Sequence, residues 1–164
     1  NIYLRAVLDS LTHALLAGTV WALVCALSRT PEHTGVLRAE IVLACCVGSA
    51  IDVDHFMAAG SLSLERAMQL PAGQRPLHHT LLSAFCYCTG IAVLKPVLEM
   101  PAVQRFIFKL PPPLRAVAAR AATPRGAGIA LVAWVAHLLR DASRRGINFD
   151  HLLVVTGPIP SGLY

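Results

Sequence analysis

Four long hydrophobic runs, separated by short polar segments, divide the chain. They cover approximately residues 4–27, 36–56, 77–98 and 126–139. The first three are long enough to cross the bilayer core, which takes about 20 helical residues. The pattern predicts an all-α fold: a polytopic membrane bundle of about four transmembrane helices, formed by one integral-membrane domain that covers residues 1–164.

Three shorter segments predict short helices outside the spans. Residues 61–68 have an amphipathic pattern, and residues 114–122 are alanine-rich but too short to span. In residues 105–109, three apolar side chains lie between Arg105 and Lys109, a composition typical of helices in the membrane interface. We therefore expect short interfacial helices beside the bundle.

Composition supports a membrane protein. The chain is 55% hydrophobic and 14% charged, with a mean hydropathy of +0.60, whereas soluble domains are about 25% charged. The organelle stays open between endomembranes and the mitochondrial inner membrane.

The net charge of +5 is spread over loops, which favours membrane lipids as partners and argues against nucleic acid. The five cysteines lie in apolar runs without C-x-x-C spacing, so we interpret them as buried small residues.

Aspartate and histidine cluster at one end of every run. The members are Asp9 and His13, then Asp52, Asp54 and His55, then His78 and His79, and finally His137 and Asp141. Because consecutive helices reverse direction, all four groups fall on the same side of the bundle, and we expect nothing comparable at the opposite ends. That opposite side carries the whole net charge of +5, so the Asp-His side should face away from the cytoplasm or matrix.

The spacing of these groups favours a metal site. Asp9 and His13 are four residues apart and share a helical face, as do His137 and Asp141. Asp54 points away from its neighbours unless the helix unwinds there. Clustered aspartates repel in a low dielectric, and a bound divalent cation offsets that repulsion. All nine Asp and His residues are therefore candidate ligands of zinc, manganese or magnesium.

Each group also has a structural interpretation. The first and last pairs can be buried hydrogen-bonded pairs, and the central group can cap a helix or pair with Arg75. His78 and His79 can simply be interfacial, whereas Asp150 and His151 are expected to be solvated. A further alternative is bis-histidine haem binding by His13, His79 or His137, although haem would not need the aspartates.

Several segments resemble the transmembrane protein 267 family, a eukaryotic family of small multi-pass proteins without an established activity. The matching segments are Leu4–His13, Glu40–Ala44, Ile51–Phe56, Ala59–Leu64, Arg75–His78 and His137–Asp141. They preserve motif order over most of the chain. The resemblance implies a multi-pass helical fold.

A more distant resemblance implies chemistry. Thr12-His13, Asp52-x-Asp54-His55, the His78/His79 pair and His137-x-x-x-Asp141 are similar to motifs of bacterial LexA-regulated inner-membrane metal-dependent hydrolases. That group in turn resembles zinc-dependent phospholipase C and P1-type nucleases. The resemblance implies zinc and phosphoester hydrolysis, whereas spacing alone implies only a divalent metal. The bacterial Thr-His-Ser after the histidine pair is replaced here by Leu82-Ser83-Ala84.

Two functions follow as hypotheses. The first is a membrane-embedded zinc-type hydrolase of lipid phosphoesters, with Asp54 and Arg140 as catalytic residues; Arg140 or Arg75 would hold the phosphate. The metal would lower the pKa of a bound water. The alternative is a non-catalytic accessory subunit of a larger membrane complex that keeps the hydrolase-like fold, which the missing histidine favours.

Overall fold

A computed structural model describes most of the chain. The described residues are 1–28, 34–70, 83, 85–86, 89–90, 96–97, 99–121, 123–145, 147–148 and 155–156. Of the third hydrophobic run, the few described positions are helical. The predicted ligands His78 and His79 lie outside the described residues, as do Arg75, Asp150 and His151.

The described chain is helical apart from one pair of two-residue strands, so the predicted all-α class is confirmed. The helices are α1 Ile2–Leu27, α2 Thr34–Ala50, α3 Asp54–Ala58, α4 Leu64–Met68, α5 Pro101–Phe108, α6 Pro112–Ala121 and α7 Pro124–Arg145. A 3₁₀ turn, Ile51–Val53, joins α2 to α3, and strands β1 Ile147–Asn148 and β2 Val155–Thr156 pair antiparallel. The last helix is longer than its hydrophobic run and carries the polar site residues within its final turns.

One face of helix α1 packs against the protein interior, and another exposes large hydrophobic side chains. His13, Ala17, Trp21 and Cys25 recur every four residues and are all buried. Large hydrophobic side chains on another face, among them Leu4, Leu8, Leu11 and Leu15, are more than half exposed. In water such a continuous apolar face would be unfavourable, whereas lipid tails or another apolar surface accommodate it.

By length and composition, α1 is the one helix among the described residues that fits a bilayer span. Helices α6 and α7 would form a second span only if the 90° bend between them lay within it. The predicted count of four transmembrane helices therefore stays a prediction.

Helices α1, α2 and α7 form the core through small side chains. Ala17, Ala44 and Ala133 are completely or almost completely buried beside Trp21 and Ile129. Small residues allow two helix backbones to approach closely, which is the usual mode of helix packing in membranes.

Helices α1 and α2 approach each other closely at Gly48. A Cβ atom added there would lie 2.7 Å from the Ala17 Cβ and 2.9 Å from the carbonyl oxygen of His13. Both distances are shorter than van der Waals contact, and the second involves backbone that cannot rotate away. Only glycine fits between α1 and α2 at this point, one helical turn before Asp52.

Replacing Gly48 with alanine should push α1 and α2 apart. We expect Gly48→Ala to lower the free energy of unfolding by about 1–3 kcal/mol, the usual cost of overpacking. The matched control is Gly128→Ala in α7, where an added Cβ meets no atom within 4 Å. The control should be neutral or slightly stabilising because alanine favours helix. Thermal unfolding in detergent measures both, and equal effects would contradict the packing argument.

Candidate metal centre

Three helical segments bring two histidines and two aspartates together inside the bundle. His13 comes from α1, Asp52 from the 3₁₀ turn, and His137 and Asp141 from α7. Ligand atoms of His13, Asp52 and His137 all lie within 4.8 Å of one another. Both histidines and Asp141 are about 1% exposed, whereas the Asp52 side chain is 29% exposed. We call these four residues the metal centre.

The imidazole Nε2 atoms face carboxylate oxygens. His13 Nε2 lies 3.3 Å from Asp141 Oδ1 and 3.9 Å from Asp52 Oδ2. His137 Nε2 lies 3.5 Å from Asp52 Oδ1 and 3.9 Å from Asp141 Oδ2. The two rings stack with centroids 3.7 Å apart and planes inclined by 20°.

The backbone of α2 orients His137. Its Nδ1 lies 2.9 Å from the carbonyl oxygen of Gly48. A carbonyl oxygen only accepts hydrogen bonds, so Nδ1 must carry a proton. In a neutral ring, Nε2 then presents its lone pair toward Asp52. This Nδ1–H to carbonyl arrangement is the outer-sphere contact that metal-binding histidines usually make.

The buried His13 ring offers its Nε2 atom as a possible metal ligand. Neither ring nitrogen makes a hydrogen bond with the described residues, even though Asp141 lies nearby. Leaving a buried polar group without a hydrogen bond costs about 1–3 kcal/mol. A cation between His13 Nε2 and the facing carboxylates would satisfy this nitrogen.

Asp52 and Asp54, which follow each other closely in the sequence, lie in different surroundings. Ile51 is buried against Trp134 and Leu138 of α7, which anchors the turn. The tight turn directs Asp52 toward the stacked histidines. Asp54 is 3% exposed, and its Oδ1 lies 3.2 Å from Nδ1 of His55. Asp52 Oδ1 lies 3.8 Å from the same nitrogen, so the 3₁₀ turn brings both carboxylates to His55, and Asp54 does not point away from its neighbours.

Asp9 lies outside the metal centre, in an ion-pair network with α7. Its Oδ1 contacts Arg140 and lies 2.6 Å from Arg144. Arg140 also lies 3.4 Å from Asp141 Oδ1. Asp9 was predicted to be a ligand together with His13; the structure instead places its carboxylate against two guanidinium groups.

Among the described side chains that surround the metal centre, acidic groups outnumber basic ones. Asp9, Asp52, Asp54 and Asp141 contribute four negative charges, and Arg140 and Arg144 contribute two positive ones. With neutral imidazoles, these six side chains have a net charge of −2. Most of them are largely shielded from water, where uncompensated charge is costly. One divalent cation would balance them.

The opposite end of the bundle holds a second polar cluster that the sequence analysis did not predict. Glu40 is fully buried, and its carboxylate accepts two hydrogen bonds from Arg125, Nε to Oε1 at 2.7 Å and an amino nitrogen to Oε2 at 3.1 Å. Trp21 Nε1 donates to Glu40 Oε2 at 3.2 Å, and Arg120 Nε lies 3.7 Å from Oε1. The expectation of nothing comparable at these ends was wrong. Alternating helix directions also place Glu40 and Arg125 on one side, so the same topological argument, applied to glutamate and arginine, would have found them.

Sequence comparison identifies relatives. Transmembrane protein 267 of Mus musculus is 30% identical over 164 residues, which cover 100% of this chain and 64% of the mouse protein. The Bos taurus protein of the same name is 29% identical with the same coverage, and the Danio rerio protein is 39% identical over 88 residues. The chain is therefore similar to transmembrane protein 267 over its whole length. The chain is accordingly an integral membrane protein.

The match to transmembrane protein 267 covers the metal centre as well as the Glu40 cluster, because the mouse alignment includes the whole chain. The chain spans 64% of the length of the mouse relative. No family model matches the chain, and no solved structure matches it.

The Glu40 cluster should be important for stability. We expect Glu40→Gln to lower the free energy of unfolding by about 3 kcal/mol, because it leaves the Arg125 guanidinium without its counter-charge. The control is Glu65→Gln, since Glu65 is an exposed glutamate of α4. Chemical denaturation followed by circular dichroism measures the difference. An equally small effect of both substitutions would show that the ion pair contributes little.

Proposed function

We propose that the chain binds one divalent metal ion, zinc, at the metal centre and uses it to hydrolyse phosphoesters of membrane lipids. The observation that carries the proposal is the convergence of two histidine Nε2 atoms and two aspartates, with His137 held by the Gly48 carbonyl. This donor set of nitrogen and oxygen atoms suits zinc.

The distances within the metal centre support this fit. Two ligand atoms that each lie about 2.1 Å from a tetrahedral zinc are about 3.4 Å apart. The corresponding separations here are 3.3 Å between His13 and Asp141 and 3.5 Å between His137 and Asp52. Small side-chain rotations would shorten the two 3.9 Å separations. The two stacked rings would also have to tilt toward each other, because zinc binds in the plane of each imidazole.

Bound zinc would supply a water molecule of lowered pKa. The chain's own residues would bind and orient the reactants. Asp52 of the metal centre and the neighbouring His55 are partly exposed, at 29% and 16% of their side chains. Substrate would therefore approach the metal centre from the side of these two residues. Asp54 Oδ1 lies 3.2 Å from Nδ1 of His55, and a hydrogen bond between these atoms would orient the ring so that its other nitrogen takes a proton from water. Asp54 would thus be a positioning residue.

Arg140 and Arg144 would hold the substrate phosphate. Both contact the carboxylate of Asp9, and Arg140 also lies 3.4 Å from Asp141 Oδ1, so the two guanidinium groups lie directly beside the metal centre. Guanidinium groups bind phosphate oxygens through paired hydrogen bonds. The resemblance to bacterial metal-dependent hydrolases includes the histidines and aspartates but not these arginines, so the arginine assignment depends on geometry alone.

A non-catalytic accessory subunit is the second candidate. Two observations favour it: Asp9 already engages both arginines, and Leu82-Ser83-Ala84 lacks the histidine of the bacterial pattern. The metal would then hold α1, α2 and α7 together, and a partner subunit would cover the apolar face of α1.

Metal analysis tests the site common to both candidates. Protein purified in detergent and dialysed against trace zinc should contain about one zinc per chain. His13→Ala and Asp52→Asn should each reduce this content at least about tenfold, because each removes a ligand. Glu65→Gln, an exposed acidic control, should keep the metal. Folded variants that retain full zinc content would refute the assignment of these ligands.

A hydrolysis assay separates the two candidates. Zinc-loaded protein should release product from phospholipid in mixed micelles, and Arg140→Gln should lower kcat/KM about tenfold or more because the phosphate loses a guanidinium. Arg66→Gln, an exposed arginine of α4, is the control. Stoichiometric zinc without turnover of phosphomonoester or phosphodiester lipids would favour the accessory subunit.

A further inference from the structure

Asp9 of α1 reaches across to α7 and contacts two arginines there. Its Oδ1 atom contacts Arg140 and accepts a hydrogen bond from Arg144 at 2.6 Å. The two arginines are four residues apart in one helix, so their side chains share a face, one turn apart. A single carboxylate oxygen therefore lies where two cationic side chains of α7 converge.

The converging guanidinium groups form a site that suits an oxyanion. A guanidinium group donates paired hydrogen bonds to carboxylate or phosphate oxygens, and a phosphate group can offer a separate oxygen to each arginine. The side chain of Arg144 is 48% exposed and that of Asp9 is 21% exposed, so an anion in solution can reach both. In this structure, the Asp9 carboxylate is the anionic group that the two arginines contact in common.

This arginine pair lies next to the metal centre. Arg140 is 3.4 Å from Asp141 Oδ1, and the same oxygen is 3.3 Å from His13 Nε2. Asp9 lies four residues before His13 on α1, so the helix that supplies a metal ligand also supplies the carboxylate on the arginines. A phosphate bound by Arg140 would therefore be adjacent to the metal centre.

We propose that Asp9 competes with the substrate phosphate for Arg140 and Arg144 and thereby acts as an internal gate; this inference rests on the proposed function. Without substrate, the carboxylate keeps the two partly buried cations paired, which avoids the cost of an unpaired charge. A phosphate must displace the carboxylate, so the free energy of the Asp9 contacts is subtracted from the free energy of phosphate binding. Asp9 would thus exclude weakly bound anions from the arginine pair.

The opposite role for Asp9 would be to hold the arginines in place for the substrate. The two roles predict opposite results for Asp9→Asn, which removes the negative charge and keeps the shape of the side chain. Competition predicts tighter phosphate binding, whereas positioning predicts weaker phosphate binding.

Equilibrium dialysis with radiolabelled inorganic phosphate measures anion binding to the full chain in detergent. We expect Asp9→Asn to bind phosphate about fivefold more tightly than the unsubstituted protein, because it removes a competing ion pair. If the competition is local, the gain should fall below about twofold when Arg144→Gln is also present. Glu65→Gln removes an exposed acidic side chain of α4 and should leave phosphate binding unchanged.

Infrared difference spectroscopy gives a second readout of the displacement. Phosphate binding should change the surroundings of the Asp9 carboxylate. The unsubstituted protein should therefore show a carboxylate difference band that Asp9→Asn lacks.

Weaker or unchanged phosphate binding by Asp9→Asn would overturn the proposal. An equal gain in the Arg144→Gln background would also overturn it, because it would indicate a general field effect. Circular dichroism checks that the variants fold, and Asp9→Ser replaces Asp9→Asn if the latter does not.

The binding measurements need neither zinc nor turnover, so they separate the gate from the proposed function. The expected gain in phosphate binding without hydrolysis would refute the hydrolase and leave Asp9 as a competitor for anions. Zinc-dependent hydrolysis with unchanged phosphate binding by Asp9→Asn would refute the gate alone.

Discussion

The close contact between α1 and α2 at Gly48 determines the geometry of the metal centre. Because Gly48 has no side chain, the His13 carbonyl lies against α2, and the His13 ring is carried into the space between α2 and α7. The carbonyl of the same glycine accepts the Nδ1–H of His137. One residue thus sets the separation of two helices and the orientation of a ring on the third.

The two ends of the bundle have opposite electrostatic character. At the metal centre, carboxylates outnumber guanidinium groups, and the six acidic and basic side chains have a net charge of −2. At the other end, one buried carboxylate faces two arginines. Burial increases the free-energy cost of an unbalanced charge, so the carboxylates around the metal centre favour a divalent cation as a ligand.

Much of the metal centre could be predicted from the sequence. Alternating helix directions bring the start of one run to the end of the next, which correctly placed His13, Asp52, His137 and Asp141 together. The four-residue spacing on α7 also put His137 and Asp141 on one face. These inferences needed only helix periodicity and the lengths of the hydrophobic runs.

The remaining details depend on packing that the sequence does not encode locally. Asp9 shares a face with His13, but α7 places Arg140 and Arg144 within reach of its carboxylate. The orientation of Asp54 depends on a 3₁₀ turn anchored by Ile51 against α7. From the sequence, Glu40 looks like an ordinary polar residue near the start of a helix. It is buried beside Arg125 only because α7 packs against α2. Rotation of each helix about its axis decided these contacts.

X-ray absorption at the zinc edge of the purified protein tests the central claim most directly. The account predicts a first shell of only nitrogen and oxygen at about 2.0–2.2 Å, with the outer-shell scattering of two imidazole rings. Loss of one imidazole contribution in His137→Ala should follow. A sulfur-containing shell, a spectrum without imidazole scattering, or an unchanged spectrum in that variant would contradict a centre built from His13, His137, Asp52 and Asp141.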